Sequence, residues 1–223
     1  MKIYEFRIIL PTKLEKYDVG HRYMNLQYVH DEGKNEGEGI ELVKNEPYTK
    51  DGESGQYTYK IFHLTSKVPE FIRWAVPNKY LHFHEESWSG FPHYHTVNFV
   101  PQLGDDLVLD VESTHIEYKK GMEIPNNLMN LSEDDLKKRK IKYIDIVDGD
   151  PQPSDKSQIM EGFVCPEAGI MSPLKGKHGS YDPSQVPVWV NNYDGDMMCC
   201  IKVVKFHFKK FGLQTAVEKY IMH

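Results

Sequence analysis

Two alternating segments around a turn-rich centre, within residues 37–69, constrain the fold of this chain more than any other feature. The centre contains an Asp-Gly dipeptide, which is typical of tight turns, so the stretch predicts a long β-hairpin. Residues two apart on a strand share a face, which places Thr58 and Lys60 on the same face as the apolar Phe62. A lysine on an apolar face is unfavourable unless an anion meets it. The second arm therefore predicts an apolar interior with a polar, cationic end.

Composition and charge exclude several classes of protein. The chain has 223 residues, 39% of them hydrophobic, and a formal net charge of −6, so we expect no nucleic-acid partner. The first residues carry charges where a signal peptide needs an apolar core, and no run approaches the roughly 20 apolar residues of a membrane span. Three cysteines do not make a disulfide framework. We expect a cytoplasmic, monomeric protein.

The order of the predicted elements indicates an α+β fold in a single domain, 1–223. Besides the hairpin, we predict strands at 3–10, 80–88, 93–100, 106–115, 143–147 and 197–208, and helices at 12–29, 68–74, 132–139 and 212–222. Proline recurs within 149–196 and no periodicity marks it, which predicts a long loop of functional importance.

The same alternation places polar side chains on the apolar faces of separate strands. They are Thr58, Lys60, Ser89, Thr96, Ser113 and Lys202. One interpretation is that they lie at strand ends, where lysine extends into solvent and hydroxyls bond to the backbone. Their recurrence favours the other interpretation, an internal site for an anion with an apolar tail. A phosphate paired with lysine and hydroxyl donors compensates the desolvation of both partners.

Other chemical signals are weaker. Two His-x-His pairs, His82 with His84 and His93 with His95, could bind Zn²⁺. No carboxylate or cysteine is fixed in register with them, so we favour ordinary histidines on a sheet surface and predict no metal and no cofactor. The chain has no nucleophile elbow, phosphate-binding loop or zinc-protease motif. We predict that it is not an enzyme.

Aromatic and cationic residues alternate at 205–212, near the end of the last predicted strand. One interpretation is a strand end with core phenylalanines. The other is a loop that docks on membranes, because aromatics enter the interface while lysines meet anionic lipid. In the second interpretation the docking residues are Phe206, Phe208, Lys209, Lys210 and Phe211.

Several stretches match a known family, namely 4–11, 17–20, most of 37–69, 143–146, 204–206 and 212–214. Through them the chain resembles the soluble single-domain phosphatidylinositol transfer proteins. The resemblance implies a helix-grip fold, like that of StAR-related lipid-transfer domains, in which a curved antiparallel sheet and helices enclose one phospholipid. It implies transfer of phosphatidylinositol, and also phosphatidylcholine, by a protein that associates transiently with membranes. The alternative is a sensor that presents phosphatidylinositol to lipid-modifying enzymes without net transfer.

The resemblance also implies how the inositol ring is bound. In the family a threonine and a lysine of the hairpin contact the ring, and here they correspond to Thr58 and Lys60. A family asparagine that joins them corresponds to the shorter Ser89. Family members continue beyond the position of His223 with a segment that helps to close the cavity and supplies a glutamate. From this we expect a more open cavity and faster, less selective exchange than in relatives.

The phosphate contacts implied by the resemblance come from a helix and three strands. The corresponding residues here are His21, Thr96, Ser113 and Lys202. Three of them keep a donor comparable with that of the family, and His21 replaces a glutamine. Tyr94 stands where the family has a pocket cysteine, so we expect it to change the shape of the pocket and the handling of choline lipids.

Overall fold

The structure, a computed structural model, describes residues 1–32, 39–50, 52–63, 82–147, 164–165, 170–171 and 181–209. Its elements are β1 (Lys2–Leu10), α1 (Leu14–Glu32), β2 (Gly39–Lys50), β3 (Glu53–His63), β4 (His82–Gly90), β5 (His93–Phe99), a 3-10 turn (Gly104–Asp106), β6 (Leu107–Tyr118), α2 (Glu133–Lys138), β7 (Arg139–Ile144), β8 (Val164–Cys165), β9 (Ile170–Met171), α3 (Val188–Asn191) and β10 (Met197–Phe208). The helices predicted at 68–74 and 212–222 lie outside the described residues.

Eight strands form one mixed sheet in the order β2-β3-β4-β5-β6-β10-β1-β7, and β8 pairs with β9 in a separate ribbon. Neighbours in the large sheet are antiparallel except for β1 and β7, which run parallel. The prediction of an α+β protein with a large sheet and few helices is confirmed. The prediction that the sheet is antiparallel throughout is wrong at the β7 edge.

The strand predicted at 143–147 is displaced toward the amino terminus. β7 begins at Arg139, whose guanidinium donates to the Glu5 carboxylate of β1 at 2.6 Å with both side chains buried. This ion pair fixes the first residue of the parallel pairing. The strand ends at Ile144 because the next residue, Asp145, accepts a hydrogen bond from the Val147 N–H at 2.8 Å. Such a side-chain turn competes with continuation of the strand.

The helices follow the local sequence closely. α1 begins at Leu14, two residues later than predicted, and ends at Glu32, three residues beyond the predicted end. The Ser132 hydroxyl caps α2 by accepting a hydrogen bond from the Asp135 N–H. None of the helices in the described ranges is both long enough and apolar enough to cross a membrane.

The predicted hairpin is formed by β2 and β3, paired from Lys50 opposite Glu53 to Gly39 opposite His63. Gly55, part of the turn-rich centre of the sequence, lies inside β3 rather than in the turn. A side chain at that position would collide with the backbone carbonyl of Ser89. The glycine therefore allows β4 to approach the hairpin closely.

The outer face of the sheet carries the largest core cluster. Chain segments 119–147 and 181–196 supply residues to it, including Trp189 and Val190 of α3, which lies within the region 149–196 that the sequence predicts as a loop. The buried members are Ile9, Tyr118, Ile124, Val147, Trp189, Val190, Met197, Cys199 and Ile201. The described part of the predicted loop thus contributes to folding through apolar burial.

The opposite side of the sheet, which we call the inner face, is covered by α1. Tyr17 of α1 lies 4.9 Å from the ring of His115 on β6, measured between ring centroids. His21, one turn further along α1, lies 4.7 Å from the ring of Tyr94 on β5. These contacts set the position of the helix over the middle of the sheet.

Two of the predicted membrane-docking residues are part of the core. Phe206 and Phe208 are 0% and 4% exposed and pack in an apolar cluster with residues of β6. Their side chains alternate onto the inner face of β10, so the alternative interpretation, a strand end with core phenylalanines, describes them correctly. Lys209 is exposed, whereas Lys210 and Phe211 lie outside the described residues.

Candidate functional site

The predicted site residues of the sheet all lie on the inner face. Lys202 of β10 is opposite Ser113 of β6, Ser113 is opposite Tyr94 of β5, and Tyr94 is opposite Ser89 of β4. Because directly opposed residues share a face, these four side chains form one row across four strands. The alternation in the sequence therefore predicted their common face correctly. The register adds that Ser89, which is assigned to inositol, lies in the same row as Ser113 and Lys202, which are assigned to the phosphate.

A second row, made of hydroxyls, lies next to the first. Thr58 of β3 is opposite Ser87 of β4, and Ser87 is opposite Thr96 of β5. The Ser87 and Thr96 hydroxyl oxygens are 3.0 Å apart and hydrogen-bonded, and Ser87 is buried. Sequence reasoning missed Ser87, although its position two residues before Ser89 is the signal that could have found it. The row links a residue assigned to inositol with one assigned to phosphate.

Lys202 is a half-buried cation in an apolar strand. Its neighbours on the inner face of β10, Cys200 and Val204, are buried. Among the residues that the structure describes, no carboxylate lies within ion-pair distance of the Lys202 ammonium. A cation held in this way favours an anionic ligand, because partial burial weakens its hydration.

Two imidazoles lie near Lys202. Burial lowers the pKa of His21, and the positive charge of Lys202 lowers it further. Burial also lowers the pKa of His115, with added contributions from the charges of His21 and Lys202. The Nδ1–H of His115 donates to the backbone carbonyl of Pro92 at 2.8 Å, which orients the ring. Both rings are therefore neutral near pH 7 and offer a donor without a second fixed charge.

His115 was not among the predicted site residues. It lies two residues after Ser113 on the inner face of β6, so strand alternation was the available signal. It is 3% exposed and packs against Tyr17. Sequence alone does not distinguish such a residue from a histidine of the core.

Lys60 has a partner that the sequence analysis did not identify. Its ammonium donates to a carboxylate oxygen of Glu85 at 2.8 Å, and each side chain is 17% exposed. Glu85 is directly opposite Lys60 on β4, and Asn98 is opposite Glu85 on β5. This third row therefore contains a cation, an anion and an amide. Glu85 alternates with Phe83, which was the signal for its inward direction.

Tyr94 closes part of the space between the sheet and α1. Its hydroxyl donates to the Asp18 carboxylate at 3.3 Å, and its ring packs on His21. Burial and the charge of Asp18 raise the pKa of Tyr94 to about 12, so the phenol stays protonated at neutral pH. Asp18 and His21 are three residues apart and share one side of the helix. Tyr94 is thus a bulky, neutral donor fixed to α1.

Sequence comparison relates the chain to known proteins. The sequence model of the family described as "Phosphatidylinositol transfer protein" matches residues 1–223. The chain is 38% identical over 223 residues to the phosphatidylinositol transfer protein beta isoform of Bos taurus, covering 98% of this chain and 78% of the relative. It is 34% identical over 222 residues to phosphatidylinositol transfer protein 1 of Dictyostelium discoideum, covering 100% of this chain and 79% of the relative.

Proposed function

The chain belongs to the phosphatidylinositol transfer protein family, and we propose that it binds one phospholipid on the inner face of the sheet and transfers it between membranes. Lys202 is the observation that supports this most directly. It is a half-buried ammonium without an anionic partner among the described residues, opposite the Ser113 hydroxyl and close to two imidazoles. A lipid phosphate in contact with these groups would supply the missing negative charge.

The phosphate contacts that we propose are those of His21, Thr96, Ser113 and Lys202. Phosphatidylinositol and phosphatidylcholine both carry a phosphodiester, so these residues would contribute affinity for the two lipids alike. Tyr94 would limit the room beside the phosphate because its ring is held against His21 of α1. The proposal is consistent with the single row that Lys202, Ser113 and Tyr94 form in the register.

Inositol recognition is assigned to Thr58, Lys60 and Ser89, and we add Glu85. The hydroxyls of an inositol ring both donate and accept hydrogen bonds, whereas a lysine ammonium only donates. The Glu85 carboxylate, paired with Lys60 at 2.8 Å, adds a charged acceptor, which binds a hydroxyl more strongly than the neutral Thr58 and Ser89 oxygens do. An inositol hydroxyl could therefore bind between the two charges without leaving either one unpaired.

Transfer requires that the acyl chains stay out of water. At about 0.8 kcal/mol per methylene, two chains with on the order of 30 methylenes represent roughly 25 kcal/mol. Escape through water is therefore negligible, and exchange takes place while the protein is docked on a bilayer. We assign docking to Lys209, Lys210 and Phe211, since the exposed Lys209 follows the buried end of β10. Such a carrier would be cytoplasmic, monomeric and peripheral on membranes.

The architecture that we propose is a helix-grip domain formed by residues 1–223. The mixed eight-stranded sheet, with α1 across its inner face, supports this arrangement. The names of the relatives describe transfer proteins, which supports a carrier rather than an enzyme.

Two measurements test the proposed function. Mass spectrometry of lipid that co-purifies with the full chain is expected to identify a phospholipid, and retention of a full equivalent would contradict the more open cavity that the resemblance implies. A vesicle-to-vesicle assay with labelled phosphatidylinositol and phosphatidylcholine is expected to show transfer that depends on protein concentration. Bound phospholipid without transfer would instead indicate a lipid sensor, and absence of both would contradict the proposal.

A further inference from the structure

Three potential metal ligands converge on the outer face of the sheet, on the side opposite to the lipid-binding residues. His95 of β5 is directly opposite Glu112 of β6, and Asp110 lies two residues before Glu112 on the same face. The ligand atoms of the three side chains all lie within 4.8 Å of one another. Nε2 of His95 and a carboxylate oxygen of Asp110 are hydrogen-bonded at 2.9 Å.

The surroundings fix the imidazole and leave the carboxylates available. The indole of Trp88 stacks on His95 with a centroid distance of 5.4 Å and an interplanar angle of 23°. Lys205 is opposite Asp110 in the register, but its ammonium pairs with Asp135 at 3.4 Å. In the described part of the chain, neither Asp110 nor Glu112 forms an ion pair with a lysine or arginine. Apart from the His95 imidazole, which is hydrogen-bonded to Asp110, no basic side chain of the described ranges pairs with either carboxylate.

The cluster is also accessible. His95 and Glu112 line a groove of about 520 Å³ on the outer face, between the tip of the hairpin and residues 128–130. The side chain of His95 is 44% exposed and that of Asp110 is 27% exposed. An ion and its water ligand could therefore enter from solvent without disturbing the core.

We propose that His95, Asp110 and Glu112 form a binding site for a divalent transition-metal ion such as Zn²⁺. One imidazole and two carboxylates suit this class of ion, and their formal charge of −2 balances that of the ion. Ligand atoms about 2.0–2.2 Å from a tetrahedral zinc are about 3.3–3.6 Å apart, so the observed separations require only small side-chain rotations. Water would occupy the fourth position.

This site differs from a centre made of the two His-x-His pairs. The register places His82, His84, His93 and His95 on the outer face, but only His95 belongs to a group of three potential ligands in the described residues. The carboxylates in register, which the sequence did not reveal, come from β6. The proposal concerns the outer face and is independent of lipid transfer.

Zinc titration of the full chain tests the proposal. After removal of metal with a chelator, isothermal titration calorimetry at pH 7.5 is expected to show one equivalent of Zn²⁺ bound by the wild type. His95→Ala, Asp110→Asn and Glu112→Gln are each expected to weaken that binding by at least about 10- to 100-fold, the range seen when supporting groups of metal sites are lost. Circular dichroism of each variant checks that the fold is retained.

His93→Ala is the matched control, because this imidazole is exposed on the same strand and face but lies outside the cluster. Its zinc affinity is expected to equal that of the wild type. The proposal would be overturned if His93→Ala and His95→Ala lost zinc affinity equally, or if the three ligand variants kept the wild-type affinity. It would also be overturned if the wild type did not bind zinc. Nuclear magnetic resonance of the wild type needs no variant: one equivalent of Zn²⁺ should shift the ring nitrogens of His95, and shifts confined to other histidines would contradict the proposal.

Discussion

The two lysines of the inner face, Lys60 and Lys202, are in opposite situations. Lys60 forms a short ion pair with Glu85, whereas Lys202 has no carboxylate partner in the described residues and raises the local positive charge around two imidazoles. A paired lysine already has a satisfied charge, so a ligand gains little from that charge alone. An unpaired lysine, by contrast, forms a new ion pair when an anionic ligand binds. We infer that Lys202 provides affinity for any phospholipid, while Lys60 and Glu85 provide discrimination between head groups.

The largest effect is expected from Lys202→Ala. A hydrogen bond to a charged group contributes about 1.5–3 kcal/mol, so transfer of both phosphatidylinositol and phosphatidylcholine should fall by roughly 10- to 100-fold. The vesicle assay with each labelled lipid measures this. Lys119→Ala is the control, because that lysine is exposed beyond β6 and should leave both rates unchanged. A loss restricted to phosphatidylinositol would contradict the general role of Lys202.

Lys60→Ala should separate the two lipids. Transfer of phosphatidylinositol is expected to fall about 10-fold, by the loss of one charge-assisted hydrogen bond, while transfer of phosphatidylcholine changes little. The variant also leaves Glu85 half-buried and unpaired, so the free energy of unfolding should fall by about 1–3 kcal/mol.

The double variant Lys60→Met with Glu85→Gln distinguishes these two effects. It should recover most of the stability, because both charges are removed together, but it should not recover phosphatidylinositol transfer. Wild-type transfer of phosphatidylinositol by Lys60→Ala would exclude the inositol assignment.

A smaller change is expected for Glu85→Gln alone. The amide keeps one acceptor oxygen but loses the negative charge, so phosphatidylinositol transfer should fall by about 3- to 10-fold, with phosphatidylcholine transfer retained. Glu117→Gln is a suitable control, since Glu117 is exposed on β6. Unchanged lipid preference in Glu85→Gln would show that this carboxylate serves only to pair with Lys60.

The smallest effect concerns pH. Burial and the charge of Lys202 lower the pKa of His21 and His115 below the unfolded value of about 6.5. Below that value the unfolded chain binds more protons, so the free energy of unfolding of the lipid-free protein should decrease as the pH falls. A bound phosphate favours the protonated imidazoles. The free energy of unfolding of the lipid-loaded protein should therefore decrease less over the same pH range.

Denaturant unfolding at pH 7.5 and 5.5 measures this difference. The comparison uses the wild type, His21→Gln and His115→Gln, each with and without bound lipid. The pKa of His95 is raised mainly by its hydrogen bond to Asp110, so His95 makes the protein more stable as the pH falls. Because all three proteins keep His95, its contribution cancels when they are compared. An identical pH dependence in all three proteins would show that these imidazoles do not sense the site.

The local sequence pattern was sufficient to predict most strands of the sheet. The strand Met197–Phe208 was predicted with both of its ends, because turn residues precede a segment that is mostly apolar, β-branched or aromatic. Strand alternation also placed Thr96, Ser113 and Lys202 each on the same face as apolar residues of its own strand, since a side chain two residues along a strand points to the same side whatever the neighbours are. The resemblance to a family then connected this face with the phosphate of a lipid.

The local sequence pattern gave wrong predictions where long-range contacts determine where a strand begins or what a side chain packs against. The beginning of β7 depends on the buried pair of Arg139 with Glu5, which are 134 residues apart in the chain. The interpretation of Phe206 and Phe208 depended on whether β6 lies beside β10, because aromatic residues next to lysines are equally compatible with a core and with a membrane-binding loop.

The residues of the hairpin were enough to predict its two strands, the inward direction of Lys60 and the need for an anion beside it. Only the tertiary structure showed which anion is present, namely Glu85, and that Lys202 has none in the described residues. Alternation along a strand is a local consequence of backbone geometry and is visible in the residues themselves. Register between strands depends on the packing of the whole sheet, so the partner of a side chain across the sheet cannot be read from its own segment.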